Sequence, residues 1–145
     1  GDLLHQCFEI LSGHPERQAV LNEALAYEFT DGQVQVVADA VARFDDWLEA
    51  ELRPTHVGHE VPVLVLDERG SVVSGVVDVL VETKDGLWIV DHKSDRVDDR
   101  AARFREYLPQ LMAYGEAVGA ARTDKRVLGV AINWISYGEA RVIVG

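Results

Sequence analysis

The sequence predicts one α/β domain built on a mixed sheet of about five strands flanked by helices. Three observations carry this. The patterns run helical, then strand-like, then through one long helical stretch, then strand-like again. The 145 residues suffice for one domain with a real core, and the apolar fraction of 48% is that of a globular chain. The helical crossover between Leu87–Ser94 and Arg126–Ile135 suggests that these two strands lie parallel.

The elements follow in order. Leu3, Leu4, Cys7, Phe8 and Leu11 form an apolar stripe at helical spacing over residues 2–12, with His5 at its edge, and Gly13 and Pro15 stop it. A second helix is expected from Pro15 or Glu16 to about Tyr27, broken by Thr30-Asp31-Gly32. A third, from about Val34 to Leu52, turns Val37, Val41, Phe44, Trp47, Leu48 and Leu52 to one face and closes at Arg53-Pro54. Thr55–Asp67 reads as a strand kinked near Pro62, with Asp67–Gly70 as a turn. Ser71–Thr83 and Leu87–Ser94 are strands rich in Val, Ile, Thr and Trp. A charged loop, Asp95–Asp99, leads into a helix from about Asp99 to Ala121, where Pro109 should introduce a kink or break. Arg126–Ile135 and Ala140–Val144 are the last strands.

Composition removes several function classes. The single cysteine, Cys7, excludes a disulfide framework, a Cys-rich zinc site and a four-Cys iron–sulfur cluster. No run approaches a membrane span and no signal peptide is recognisable, so a cytoplasmic location with no membrane partner is the default expectation. Fourteen basic against 25 acidic residues, a net charge of -11, argue against tight autonomous binding of nucleic acid. They leave room for a nucleic-acid enzyme whose metal neutralises an acidic centre while another domain supplies affinity. The chain has no phosphate-binding Gly-x-x-x-x-Gly-Lys-Ser/Thr loop.

The chemistry concentrates between Gly75 and Lys93. With Asp85-Gly86 as a two-residue type I′ turn, Leu80 faces Asp91 and Asp78 faces Lys93. Asp91 and Lys93, two apart, share a strand face, and Asp78 lies opposite Lys93 and diagonal to Asp91. Two carboxylates and one ammonium thus converge at the open end of a hairpin that is otherwise apolar. On the hairpin alone, the competing reading is a weak surface ion pair. Tyr107, Gln110 and Tyr114, spaced three and four apart, share a face of the later helix. Arg96, Arg100, Arg103 and Arg105 follow the site, interleaved with Asp95, Asp98 and Asp99. Trp47, Trp88 and Trp134 read as core, and His14, His56 and His59 as surface or loop histidines.

Taken together, Gly1–His5, Glu60-Val61-Pro62, Gly75–Asp78, Ile89–Ser94 and Tyr107–Tyr114 resemble, in order and over nearly the whole chain, the RecB/AddA-type nuclease domain of the PD-(D/E)XK superfamily. The resemblance implies a restriction-endonuclease-like sheet and one domain over residues 1–145, excised from a longer helicase–nuclease. It implies that His5, Asp78, Asp91 and the backbone carbonyl of His92 ligate Mg²⁺ or Mn²⁺, and that Lys93 is the catalytic lysine. Gln110 and Tyr114 match a Gln-x-x-x-Tyr motif lining the site, with Tyr107 beside them, and Glu60 is a possible additional acid. His92 stands where Tyr or Phe is usual; since it points to the opposite strand face, little effect on chemistry is expected. The implied activity is metal-dependent exonucleolytic hydrolysis of DNA in double-strand break repair and recombination. The same resemblance implies a helicase domain in the same chain and a partner helicase–nuclease subunit. The alternatives are a catalytically silent DNA-binding scaffold of the same fold and a stand-alone nuclease of the superfamily.

Overall fold

The computed structural model describes residues 2–24, 31–93, 99–135 and 139–144. The expected helix end at Tyr27, the break at Thr30, Ser94, and the loop carrying Asp95, Arg96 and Asp98 lie outside the described residues.

Helix α1 (Asp2–Leu11) ends at Gly13, whose φ of 75° only glycine adopts without strain. A single 3-10 turn (Pro15–Arg17) leads into α2 (Gln18–Ala24). Helix α3 (Asp31–Trp47) continues to the predicted end, but its last turn, Leu48–Leu52, widens into a π-helical turn. There the Arg53 amide donates to the Leu48 carbonyl at 2.9 Å, and Arg53 takes a left-handed φ of 50°. Asp45 of α3 accepts from Ser12 Oγ at 2.5 Å and from the Gly13 amide at 2.9 Å, which pins the end of α1 to α3.

The sheet runs in spatial order β1 (His56–Leu66), β2 (Val72–Glu82), β3 (Leu87–Lys93), β4 (Val127–Trp134) and β5 (Glu139–Val144). It is mixed: β3 and β4 are parallel, as the crossover through α4 (Arg100–Ala121) predicts, and the other neighbours are antiparallel. Helices α1–α3 cover one face, where Phe8, Val41, Phe44 and Leu48 pack on Val79, Val81, Val90 and Ala131. Helix α4 covers the other, where Phe104, Leu111 and Val118 pack on Leu87, Ile89, Ile132 and Trp134. Each fully buried side chain of this kind contributes about 1.5–3 kcal/mol. No helix among the described residues is long and apolar enough to cross a membrane.

Of the kink or break expected at Pro109, the break does not occur: α4 runs through it as one helix, and Pro109 is solvent-exposed, so the missing amide donor is lost on the wet side of the helix. Two further local expectations are corrected. The irregularity expected at Pro62 falls instead at Glu60, with φ of 50°. Pro62 itself aligns with Val76 on this edge strand. Finally, Asp85-Gly86 is not a type I′ turn, since neither residue has positive φ. The loop is four residues, Thr83–Gly86: the Thr83 amide donates to the Gly86 carbonyl at 2.9 Å, and Thr83 Oγ1 accepts from the Asp85 and Gly86 amides at 3.2 Å. Thr83 thus supplies the acceptor that closes the loop. Gly86 is required for space: a Cβ there would lie 2.5 Å from the Arg126 carbonyl oxygen.

That loop sets the register as Glu82↔Leu87, Val81↔Trp88, Leu80↔Ile89 and Val79↔Val90. The pairing is two residues from the one a type I′ turn would give. A slip of two preserves strand faces, whereas a slip of one would have inverted them. Continued by one step, it sets Asp78 across from Asp91, not Lys93.

At Glu60 and Asp78 the β1–β2 ladder is interrupted between His59↔Val79 and Val61↔Val77. On one side of this break Val57, Val79 and Val81 pack toward α1–α3; on the other Val61, Val63 and Val77 pack toward α4. The two strands therefore exchange faces at a single cross-strand position, and the left-handed Glu60 backbone makes the exchange. Beyond it the opposite face is bare, with Leu64 and Leu66 69% and 67% exposed.

Candidate active site

The site is assembled where the face exchange, the end of β3, α1 and α4 meet. His5, one turn before the buried Phe8, is carried to the sheet by the same helix face that anchors α1. Its Nε2 lies 2.9 Å from the His92 carbonyl oxygen and 3.3 Å from Asp78 Oδ2. The His92 amide donates to that same Asp78 oxygen at 2.8 Å. Burial alone would raise the Asp78 pKa, but hydrogen bonds from His5 and the His92 amide outweigh it and hold the carboxyl below its usual range.

Asp91 is 7% exposed. Burial first, and the neighbouring Asp78 charge second, push its pKa up to about 6, against the pull of Lys93. Lys93 Nζ lies 2.8 Å from Asp91 Oδ2 as an ion pair. The ammonium also sits over the Tyr107 ring, 4.4 Å from its centroid. Asp91, and secondarily Tyr107 and Asp78, keep Lys93 protonated against its burial.

The structure thus brings together His5, Asp78, Asp91, Lys93, Tyr107 and the backbone of His92. Glu60 joins His5, Gln6, Glu9 and Asp78 in lining an open cleft of about 390 Å³. Gln110 and Tyr114 stand further along α4; Gln110 Nε2 donates to the Tyr114 hydroxyl at 3.4 Å. The Tyr114 ring passes close to Gly75, where a Cβ would come within 2.8 Å of its edge. Arg103 turns to Glu106 at 2.9 Å, with its guanidinium 6.0 Å from the Tyr107 ring.

His59 departs from expectation. It lies in β1, half-buried, in a second cleft of about 470 Å³ with Glu9, Asp45 and Glu49, and burial depresses its pKa. Gln6, Glu9 and Asn133 were not singled out from sequence. Glu9 is four residues after His5 and so shares its helix face, and Asn133 is the one polar residue within Val127–Trp134; both signals were legible.

Among the described residues, no three His, Cys, Asp or Glu side chains stand as a ready-made metal cage. The donor set nevertheless fits a hard divalent cation: one imidazole nitrogen, carboxylate oxygens and a peptide carbonyl. Asp91 is buried beside a second carboxylate, and burial first and the Asp78 charge second raise its pKa although Lys93 stands 2.8 Å from Oδ2.

Comparison with known proteins places the chain in a family. The chain is 37% identical over 75 residues to an ATP-dependent helicase/nuclease protein from Anoxybacillus flavithermus; the match covers 47% of this chain and 6% of that much longer protein. A family model for the PD-(D/E)XK nuclease superfamily matches residues 1–139. With that match spanning both helical layers and strands β1–β4 between them, the chain belongs to the PD-(D/E)XK nuclease superfamily.

Proposed function

We propose that this chain is a metal-dependent DNA exonuclease domain, one unit over residues 1–145 of a cytoplasmic helicase–nuclease acting in double-strand break repair and recombination. The observation that carries the reading is the meeting of His5 Nε2, Asp78 Oδ2 and the His92 carbonyl oxygen within 2.9–3.3 Å, beside the Asp91–Lys93 pair. His5, Asp78, Asp91 and the His92 carbonyl would hold one Mg²⁺ or Mn²⁺, with Glu60 as a further acid on the cleft. When bound, such an ion polarises a phosphate oxygen and lowers the pKa of a coordinated water.

The remaining roles belong to the chain. Lys93, held protonated, orients the attacking water or donates to the phosphate oxygen that gains charge. Tyr107 holds the ammonium in place, and Gln110 and Tyr114 offer polar groups to the strand backbone. The net charge of -11 repels free DNA, which fits delivery of the strand by a helicase in the same chain and a partner helicase–nuclease subunit. The helicase/nuclease name of the Anoxybacillus relative supports that setting.

The test is digestion of single- and double-stranded DNA by the full chain with Mg²⁺, Mn²⁺ or EDTA. Asp91→Ala and Lys93→Ala are each expected to lower cleavage by about 100-fold or more. Cleavage that persists in EDTA, or full activity in both variants, overturns the reading. One rival is a silent DNA-binding scaffold of the same fold. That rival predicts DNA binding with no cleavage under any metal.

A further inference from the structure

His92 is 2% exposed, and its ring points away from Asp91 and Lys93. The ring is boxed between Phe8 and Phe44, at centroid distances of 4.5 and 5.0 Å. Asn133 Nδ2 lies 3.1 Å from His92 Nδ1, and the amide can only donate there, so Nδ1 is the acceptor and Nε2 carries the proton. Burial keeps the ring neutral, with its pKa lowered to about 3.

Two features show that this ring is more than filler. First, its Nε2–H has no acceptor among the described residues, and Asn133, 5% exposed, is a second buried polar group. An apolar pair of similar shape would avoid both desolvation costs. Second, the backbone of the same residue touches both halves of the His5–Asp78 contact. Its amide donates to Asp78 Oδ2 at 2.8 Å, and its carbonyl oxygen lies 2.9 Å from His5 Nε2. A hydrocarbon ring would fill the box between Phe8 and Phe44. Only a ring with an acceptor nitrogen can also be tethered by Asn133, and that tether, between the paired residues of β3 and β4, restrains the position of the His92 Cα from which both peptide groups extend.

We propose that His92 and Asn133 form a positioning pair: their hydrogen bond, on the sheet face that α1–α3 cover, anchors the residue whose amide holds Asp78 and whose carbonyl oxygen meets His5. The inference rests on the reading of His5, Asp78 and the His92 carbonyl as a metal site. It departs from the expectation that His92 has little effect on the chemistry, because its backbone touches both Asp78 and His5 and its ring stands edge-on to the His5 ring, 5.9 Å between centroids.

The full chain is compared as wild type, His92→Phe, Asn133→Val and the double variant, by thermal melting, by calorimetric titration with Mn²⁺ alone and by the amide proton of residue 92 in metal-free spectra. Each single variant strands a buried polar group and lowers the melting temperature. The double variant removes both groups and melts at or above wild type, yet binds Mn²⁺ about tenfold more weakly or worse. Its residue-92 amide proton, held downfield in wild type by Asp78, moves upfield. Affinity within about twofold of wild type together with an unmoved amide proton, in a double variant that melts normally, overturns the proposal. A role in packing alone would make affinity follow stability across the four proteins. Wild type that binds no Mn²⁺ refutes the metal-site reading instead, and the amide shift then decides the pair on its own. Asn133→Val, which keeps the ring, reads the same two quantities independently.

Discussion

Replacing Asp91 by Asn should remove a loss of stability that the metal-free wild type suffers between pH 4 and 7. The carboxyl is 7% exposed and faces a second carboxylate, and its pKa stands at about 6 against an ordinary 3.8. The folded state therefore holds this proton about two powers of ten more tightly than the unfolded chain does, which corresponds to about 3 kcal/mol. Because the folded value is the higher one, the contribution is fully present below about pH 4 and is lost as pH rises through 6. Asp78, shifted downward, acts with the opposite sign and only at more acid pH. Urea unfolding of wild type and Asp91→Asn in EDTA, from pH 4 to 7, isolates the Asp91 contribution, since groups common to both proteins cancel in the difference. Wild type should lose about 3 kcal/mol relative to the variant across that range. At pH 7, Mn²⁺ at about 100 times its Kd should return about 2.7 kcal/mol to wild type and little to the variant. A difference that is flat, or that favours wild type increasingly with pH, would refute the claim that burial and Asp78 dominate over Lys93.

The contact of Lys93 with Tyr107, 4.4 Å to the ring centroid, predicts that Tyr107→Leu lowers kcat about tenfold with KM unchanged. Tyr107→Phe keeps the ring face and should retain activity; equal loss in both variants would show that the hydroxyl matters instead. At Gly86, an added Cβ meets the Arg126 carbonyl at 2.5 Å, and backbone cannot swing aside as a side chain would. Gly86→Ala should therefore cost about 2–3 kcal/mol in urea unfolding, and a change under about 0.5 kcal/mol would contradict the close approach.

Most of the architecture was legible because hydrophobic periodicity reports burial directly. The stripe of Cys7, Phe8 and Leu11 is buried against Val41 and Phe44 of the predicted α3 face, and the parallel β3–β4 pair follows from a crossover of helix length. The hairpin register was misread because Asp-Gly fixes a turn only when the flanking residues leave it two residues long. Here the Thr83 hydroxyl offered the amides of Asp85 and Gly86 a competing acceptor, and the crowding at Gly86 comes from Arg126 and Leu128, far along the chain. The meeting of Asp78 with Asp91 survived the error only because the slip was by two. The exchange of faces at Glu60 had no local signature, since a glutamate in left-handed backbone is a tertiary outcome. The Asn133–His92 bond was beyond reach for the same reason: nothing in either segment names the other as partner.

The crossing-over of β1 and β2 at Glu60 and Asp78 has a consequence for how the molecule must assemble. An ordinary strand shows a given side chain to one layer of helices, and a pocket built on it can form while the far layer is still loose. Here His5 approaches Asp78 from the α1 layer, while Lys93, whose ammonium feels the Asp78 charge, rests on Tyr107 of the α4 layer. The carboxylate works as a rivet through the sheet, and loosening either helical layer by itself should open the same cleft.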